Sequence, residues 1–168
     1  MPSRIPCLIF QNSADAVRVY LSGGMEYADG EGAQWRSELQ EWLEGTLSDT
    51  VFNPNIESER FFSARYPRTD FRKLKVENVG LYQEILRNLV DIDCKEIAEN
   101  SDYLICYWDE GAAKGAGTKG ELTMARFFGK PVYLVTSFPL HDLPGWVLGC
   151  VTKTFRTFGE LKIFLSER

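Results

Sequence analysis

The sequence predicts an α/β fold in which a parallel sheet of about five strands carries helices on both faces. Short β-rich runs alternate with helical patterns along the chain, which is typical of strand–helix–strand units with right-handed connections. The chain has 168 residues, of which 44% are hydrophobic and 13% aromatic, enough for the sizeable core of one compact domain. We therefore predict a single domain over residues 1–168.

Five strands and four helices follow from the local patterns. A glycine after a helical pattern marks the expected helix ends at Gly45 and Gly129, and Pro54 closes the second strand. The stretch 81–100 is one long helix or two abutting helices. The predicted strands are residues 17–22, 50–53, 103–108, 131–136 and 147–151, and the predicted helices are residues 33–44, 81–100, 118–128 and 158–165.

Residues 56–79 interrupt this alternation, and we predict an inserted loop there. Six basic residues are interleaved with four aromatic ones without a clean period. A loop of this length in a compact domain covers a site, joins an interface or is disordered. One interpretation is that Arg65, Arg68 and Arg72 favour phosphorylated substrates. The other is a solvated excursion or a contact between subunits.

Charge and composition exclude several classes of function. A net charge of −5 argues against a nucleic-acid polymer as the main partner, whereas single nucleosides and nucleotides remain open as ligands. No apolar run approaches ~20 residues, and the N-terminus lacks the apolar stretch of a signal peptide, so we expect a cytoplasmic protein. The four cysteines lack CxxC spacing, and the single histidine, His141, cannot support a His-rich metal site. We expect reduced thiols and neither a metal nor a cofactor.

The loop after the third strand gives the sharpest functional signal. It contains Gly115 and Gly117, and a helix is expected to start near Thr118 with Glu121 in its first turn. Glycines let a ligand approach the backbone closely, and the start of a helix offers unpaired N–H groups to hydroxyls or phosphate. The helix dipole keeps the carboxylate ionised. The alternative is an ordinary strand-to-helix turn with Glu121 as a capping residue.

A second glycine-bearing loop begins at the end of the first strand, at Ser22, Gly23, Gly24 and Met25. In open parallel sheets the ligand lies beyond the carboxyl ends of the strands, at the point where the strand order reverses. We therefore predict that this loop and the one after the third strand meet in one crevice.

Asp93 is the second acidic candidate. It shares a helix face with Ile97, and because Ile97 must be buried, Asp93 is expected to point inward toward the crevice. An inward carboxylate is unfavourable unless it is paired or functional. A satisfied hydrogen bond from the helix to a loop is the alternative.

An ordered set of short motifs resembles the nucleoside 2-deoxyribosyltransferase family. The matches span roughly residues 17–136. They are Tyr20-Leu-Ser-Gly-Gly-Met25, Trp35-Arg36, Asp93-Cys-Lys-Glu-Ile97, Ser101-Asp102, Gly117-Thr-Lys-Gly-Glu121 and Gly129-Lys-Pro-Val132. The resemblance implies a flavodoxin-like (Rossmann-like) three-layer domain in a homo-oligomer whose subunits complete each other's sites. It also implies exchange of the base of a deoxynucleoside, or hydrolysis of the N-glycosidic bond of a nucleoside monophosphate.

By position, the resemblance implies that Glu121 is the nucleophile, that Asp93 helps to protonate the departing base, and that Tyr20 holds the nucleophile. The chemistry agrees, because cleavage develops positive charge on the sugar and negative charge on the base. A carboxylate stabilises the first charge, and a proton donor neutralises the second. Capture of the glycosyl-enzyme by a free nucleobase makes a transferase, and capture by water makes a hydrolase. The expected substrate-binding residues are Ser22, Gly23, Gly24, Met25, Asp109, Gly115, Gly117 and Thr118.

Base exchange requires that water be kept from the glycosyl-enzyme. We expect the cover to be residues 56–79 or a neighbouring subunit of at least a dimer. Trp146 or the C-terminal helix is then expected near the interface or the rim of the site.

The chain departs from the family six residues before Glu121. Transferases of the family usually carry a base-contacting aspartate there and its nucleotide hydrolases a serine, but this chain has Gly115. Asp109 or Glu110 is the candidate replacement. The pattern Gly115-x-Gly-Thr-x-x-Glu121 also resembles the cytokinin-activating phosphoribohydrolases. A non-catalytic nucleotide-binding or sensor module of the same fold is the hypothesis from a different functional class.

Overall fold

The computed structural model describes residues 16–167, and its centre is a five-stranded sheet in which every pairing is parallel. The strand order is β2-β1-β3-β4-β5, the order of flavodoxin-like doubly wound folds. The predicted α/β three-layer fold is thereby confirmed. The strands are β1 (Arg18–Gly23), β2 (Thr50–Phe52), β3 (Tyr103–Tyr107), β4 (Val132–Val135) and β5 (Lys153–Phe155).

Helices connect the strands and cover both faces of the sheet. None of those within residues 16–167 combines the length and the apolar character that a membrane span needs. Short π-helical turns at Leu43–Leu47 and Glu96–Asn100 extend two of the helices, and 3₁₀ turns lie at Asp29–Gly32 and Leu140–Asp142. The helices are α1 (Ala33–Trp42), α2 (Pro54–Arg65), α3 (Phe71–Glu77), α4 (Val79–Lys95), α5 (Glu110–Lys114), α6 (Gly117–Phe127), α7 (Gly145–Cys150) and α8 (Phe158–Ser166).

Successive residues of each strand point to opposite faces of the sheet, so the strands divide the core into two halves. One half joins strand residues such as Tyr20 and Cys106 to side chains of the helices α6 and α7, including Leu122. The other half joins Leu21 and Ile105 to apolar side chains of α1 and α8. The face that carries Tyr20 is therefore the face on which α6 packs.

The prediction of a strand at residues 147–151 is wrong. The structure has α7 at Gly145–Cys150, and the edge strand β5 follows at Lys153–Phe155. A short apolar run does not distinguish a buried helix turn from a strand. Only Phe155 of the three β5 residues is buried, so the true strand had no apolar run to mark it.

The prediction of a loop over residues 56–79 is also wrong, because the segment forms α2 and α3. The Asn53 side chain caps α2 by accepting a hydrogen bond from the backbone N–H of Asn55 at 3.1 Å, and Pro54 occupies the first helical position. Only Pro54 and Phe61 of α2 are buried. The helix therefore lacks the repeating apolar stripe by which a helix is recognised in a sequence.

Glycine ends one of the two helices for which it was predicted to do so. Gly129 has φ = +68° just after α6, a left-handed conformation that glycine adopts without strain. Gly45 instead lies inside the π turn that continues α1, and Ser48, with φ = +58°, ends that turn.

Candidate functional site

A cavity of about 830 Å³ opens at the carboxyl ends of β1 and β3, where the strand order reverses. Its walls come from the loop after β1, from α4, from the loop and helix start around α6, and from α2 and α3. The two glycine-bearing loops meet here, as predicted. The predicted site residues that line the cavity are Gly23, Gly24, Met25, Asp93, Gly115, Gly117, Thr118 and Glu121.

Glu121 lies on the floor of the cavity with both carboxylate oxygens bound. The Tyr20 hydroxyl donates a hydrogen bond to Oε1 at 3.0 Å, and the Ser22 hydroxyl donates to Oε2 at 2.5 Å. Tyr20 and Ser22 are two residues apart on β1 and therefore face the same side of the sheet. The pairing of strand and helix thus fixes the orientation of the carboxylate.

Glu121 does not lie in the first turn of its helix, contrary to the prediction. The helix α6 begins at Gly117 and has no acidic residue in its first turn, so Glu121 is one turn further in. The interpretation of Glu121 as a capping residue is wrong for the same reason. Its side chain is half-buried rather than exposed.

Burial raises the pKa of Glu121, whereas the hydrogen bond from Ser22, the positive charge of Arg36 and the hydrogen bond from Tyr20 lower it. The Tyr20 hydroxyl is fully buried and close to carboxylates, so its pKa lies well above 10. Tyr20 therefore remains a hydrogen-bond donor at any physiological pH. Its ring is stacked on Phe52, with centroids 5.1 Å apart, which holds the hydroxyl in place.

Asp93 is a half-buried residue of α4 and lines the cavity, with Ile97 buried one turn further along. Burial and the negative charge of Glu121 raise the pKa of Asp93 to about 7, against the opposing effects of the Tyr20 hydroxyl and Arg36. At neutral pH the Asp93 carboxyl is therefore close to half protonated. The inward orientation expected from the helix face is confirmed.

Arg36 organises the loop after β1 from beneath, a role that the sequence did not reveal. Its guanidinium is 1% exposed and donates hydrogen bonds to five backbone carbonyls and one side-chain oxygen. Arg36 shares a face of α1 with Leu39, which is buried. A charged residue on the apolar face of a helix was the available signal. The acceptors are the carbonyls of Leu21, Gly23, Gly24, Glu31 and Gly32 and Oδ1 of Asn55.

The glycines of the cavity serve two different purposes. A Cβ on Gly24 would lie 2.6 Å from the backbone nitrogen of Ala112, so Gly24 allows the β1 loop to pack directly on α5. A Cβ on Gly117 or Gly120 would meet no protein atom within 4 Å, and both residues line the cavity. Bare backbone at the start of α6 therefore faces open space.

Asp109 is not brought together with Glu121. Its carboxylate caps α5 by accepting a hydrogen bond from the Ala112 N–H at 2.8 Å. It lines a separate cavity of about 300 Å³ beside Trp35 and Tyr107. The position at the end of β3 suggested a ligand contact, but an aspartate just before a helix equally serves as its cap.

Helices α2, α3 and α4 contribute an apolar wall to the cavity, and Asp93 lies on the same helix α4. Phe71 is stacked on Tyr82 with centroids 4.8 Å apart, and Phe62 packs on Phe71 at 4.9 Å. These three rings line the cavity together with Leu86, Leu89 and Val90 of α4. The segment 56–79 thus contributes to the wall of the cavity, and that it covers a site stays a prediction.

Only one of the three arginines considered as phosphate ligands lines the cavity. This residue is Arg72. Arg65 donates to Asn88 at 3.5 Å and lies over the Phe61 ring, and Arg68 is exposed to solvent. Within residues 16–167 no group of three or more His, Cys, Asp or Glu side chains is arranged to bind a metal ion.

The similarities of this chain to known proteins are confined to solved structures. No protein-family model and no curated protein matches it. Among solved structures it is similar to a CMP N-glycosidase, BcmB, from Clostridium botulinum, with 16% identity and a TM-score of 0.49 over 89% of this chain and 97% of that one. At this identity and TM-score, any functional assignment rests on the residues of the site itself.

The raised pKa of Asp93 predicts that Asp93→Asn stabilises the protein at alkaline pH. The pKa of Asp93 is about 7 in the folded chain, whereas its ordinary value is 3.8. The contribution of Asp93 to the free energy of unfolding is therefore fully present at low pH and is lost as the pH rises through about 7. Asparagine carries no charge to bury. We expect the melting temperature of the variant to exceed that of the wild type by a few degrees at pH 8. For a domain of this size, that shift corresponds to about 1 kcal/mol in the free energy of unfolding.

Thermal melts from pH 5 to pH 8 measure this difference, which should shrink as the pH falls. Asp91→Asn, an exposed carboxylate on the same helix, is the control and should show no such trend. A difference between Asp93→Asn and the wild type that stays constant across this range would contradict the assignment.

Proposed function

We propose that this protein cleaves or transfers the N-glycosidic bond of a nucleoside or nucleoside monophosphate, with Glu121 as the nucleophile. The observation that carries the proposal is the pair of acids in one cavity. Glu121 is oriented by two hydroxyl donors, and Asp93, whose pKa is about 7, lines the same cavity. Two carboxyl groups whose environments differ in this way are suited to two different roles.

Glu121 has the properties of an attacking carboxylate. Its two oxygens are held by Tyr20 and Ser22, so the carboxylate loses little conformational freedom when it attacks the anomeric carbon. Tyr20 and Ser22 can act only as donors toward it, because the pKa of Tyr20 is raised and a serine hydroxyl does not ionise. The buried charge of Arg36 favours the ionised form of Glu121. The carboxylate then forms the glycosyl-enzyme as the bond to the base breaks.

Asp93 has the properties of the acid that protonates the departing base. A pKa of about 7 leaves a substantial fraction of the carboxyl protonated at neutral pH, and proton transfer is most effective when the pKa of the donor lies near the operating pH. The proton of Asp93 moves to a nitrogen of the base as that nitrogen gains electrons. The resulting carboxylate can then accept a proton from the incoming water or base.

The apolar wall suits the base. Phe62, Phe71 and Tyr82 line the cavity, and aromatic side chains make favourable contacts with nucleobases. The bare backbone at Gly117 and Gly120 leaves room for a sugar beside Glu121. Side chains of α2 and α3 line this region, and we propose that they limit the access of water to the glycosyl-enzyme.

The first test is Glu121→Gln, which keeps the shape of the side chain and removes the nucleophilic charge. We expect kcat to fall by at least ~10³-fold, a loss of about 4 kcal/mol of transition-state stabilisation. The assay is a panel of nucleosides and nucleoside monophosphates, with and without a second free base. Free base without an acceptor identifies a hydrolase, and a new nucleoside identifies a transferase.

Glu110→Gln is the matched control, because Glu110 is an exposed glutamate at the start of α5 on the same edge of the sheet and does not line the cavity. Binding without turnover on the whole panel by the wild type would favour a sensor module. Glu121→Gln activity within a few-fold of the wild type would exclude Glu121 as the nucleophile.

The second test concerns the leaving group. If Asp93 protonates the base, Asp93→Asn should slow substrates with poorly leaving bases by ~10²-fold or more and substrates with activated bases by much less. Single-turnover rates with a series of bases of graded basicity provide the measurement. Equal losses along the series would assign Asp93 a structural role.

We further propose that the protein is a homo-oligomer. Phe127 of α6 and Trp146 of α7 are 81% and 70% exposed, and Trp146 donates a hydrogen bond to Thr123, which lies one turn before Phe127 on α6. The two aromatic side chains thus belong to one surface beside the helix that carries Glu121. Exposed aromatic side chains of this kind are enriched in interfaces.

Light scattering after size exclusion should give the mass of at least a dimer, and the double variant Phe127→Ala, Trp146→Ala should lower that mass to the monomer. Ile163→Ala is the control, because Ile163 is 66% exposed on α8 at the other face of the sheet. A wild-type monomer at micromolar concentration would contradict this proposal.

A further inference from the structure

We propose that Glu31 determines substrate specificity by holding Arg72, so that the cavity selects a nucleoside over its 5′-monophosphate. This inference rests on the proposed function, because it names the substrate class for the same cavity. It also replaces the interpretation that the arginines of residues 56–79 bind phosphate.

The charges that line the cavity are the first observation. Within residues 16–167, one cationic side chain, Arg72, lines it together with five acidic ones. Two of the acids, Asp93 and Glu121, have raised pKa values through burial, and even with one of them protonated the lining remains net negative. A phosphate monoester carries close to two negative charges at neutral pH, and this lining would repel it. The five acids are Glu26, Glu31, Glu59, Asp93 and Glu121.

The engagement of Arg72 is the second observation. Its Nε and Nη2 both donate to Oε1 of Glu31, at 3.2 and 2.6 Å, and its guanidinium lies over the Phe71 ring, 5.7 Å from the centroid. One of the two forked donor edges by which arginine binds a phosphate, the Nε–Nη2 edge, is therefore already occupied by a carboxylate.

Two lysines near the cavity, Lys75 and Lys119, are engaged as well. Lys75 pairs with Glu26 at 2.6 Å. Lys119 donates at 2.7 Å to the carbonyls of Ala113 and Gly115, which fixes the loop before α6. The start of α6 offers the equivalent of about half a positive charge, which does not offset the acids that line the cavity.

A nucleoside fits this lining better than a nucleotide does. The hydroxyl groups of a sugar are donors, and the carboxylates of Glu31 and Glu59 are acceptors. A phosphate dianion offers no donor to these carboxylates. Glu31 thus acts twice, by accepting from a hydroxyl and by occupying the arginine that a phosphate would need.

The Arg72–Glu31 pair is open to rearrangement, and this makes the proposal testable. The two side chains are 43% and 50% exposed, and exposed ion pairs add little to stability. Glu31→Gln removes one negative charge from the lining and releases the guanidinium of Arg72. The variant should therefore fold normally and accept monophosphates.

The experiment compares kcat/KM for one nucleoside and its 5′-monophosphate. The wild type should prefer the nucleoside. In Glu31→Gln the ratio should shift toward the monophosphate by ~10-fold or more, equivalent to at least about 1.4 kcal/mol, and the double variant Glu31→Gln, Arg72→Ala should lose that shift. Glu57→Gln is the matched control, because Glu57 pairs with Arg60 at the same 2.6 Å but does not line the cavity, and its ratio should equal that of the wild type.

Calorimetric binding of the same two ligands to each variant provides a readout independent of turnover. If the wild type turns over neither ligand, the proposed function fails, and the ratio of binding constants still tests Glu31. A wild type that prefers the monophosphate overturns the inference while the function stands. A ratio that is unchanged in Glu31→Gln, in both turnover and binding, overturns it as well.

Discussion

The site depends on one buried guanidinium. Arg36 donates hydrogen bonds to carbonyls at the end of β1 and in the turn that follows it, and so holds these two segments together. Burial lowers the pKa of Arg36, and the charge of Glu121 opposes that effect. Arg36 therefore fixes the conformation of the loop that forms one wall of the cavity. Its charge also favours the ionised state of Glu121 on the floor of the cavity. Unpaired charges are very unfavourable inside proteins, so the loop and the acid stabilise the cation in return.

Two acids in one cavity lower the stability of the folded chain when both are ionised. Glu121 and Asp93 each raise the free energy of the folded state when both are ionised, because burial and mutual repulsion oppose the charge. The hydroxyls of Tyr20 and Ser22 both donate to Glu121, whereas Asp93 is affected by the Tyr20 hydroxyl alone of the two. The two carboxyl groups therefore have different surroundings. The difference arises because β1 places Tyr20 and Ser22 on the face of the sheet toward Glu121.

The parts of the fold that follow from regular periods could be predicted from the sequence. The two-residue period of β1 places Tyr20 and Ser22 on one face, and the helix period places Asp93 beside Ile97. Features set by tertiary contacts were not predictable in this way. The helix α2 has few buried residues and no stripe, β5 has one buried residue, and the preference of Asp109 for capping α5 depends on where that helix begins.

The helices α2 and α3 contact the rest of the molecule through aromatic rings and through two exposed ion pairs, Arg72–Glu31 and Lys75–Glu26. Asn55 of α2 also accepts a hydrogen bond from Arg36 and donates one to the Glu31 carbonyl. The sheet and α6, by contrast, carry Tyr20, Ser22 and Glu121. A substitution at Arg72 therefore alters the charge of the cavity without removing a hydrogen bond to Glu121. A substitution at Asn55 differs, because it removes an acceptor of the Arg36 guanidinium and so reaches the loop after β1.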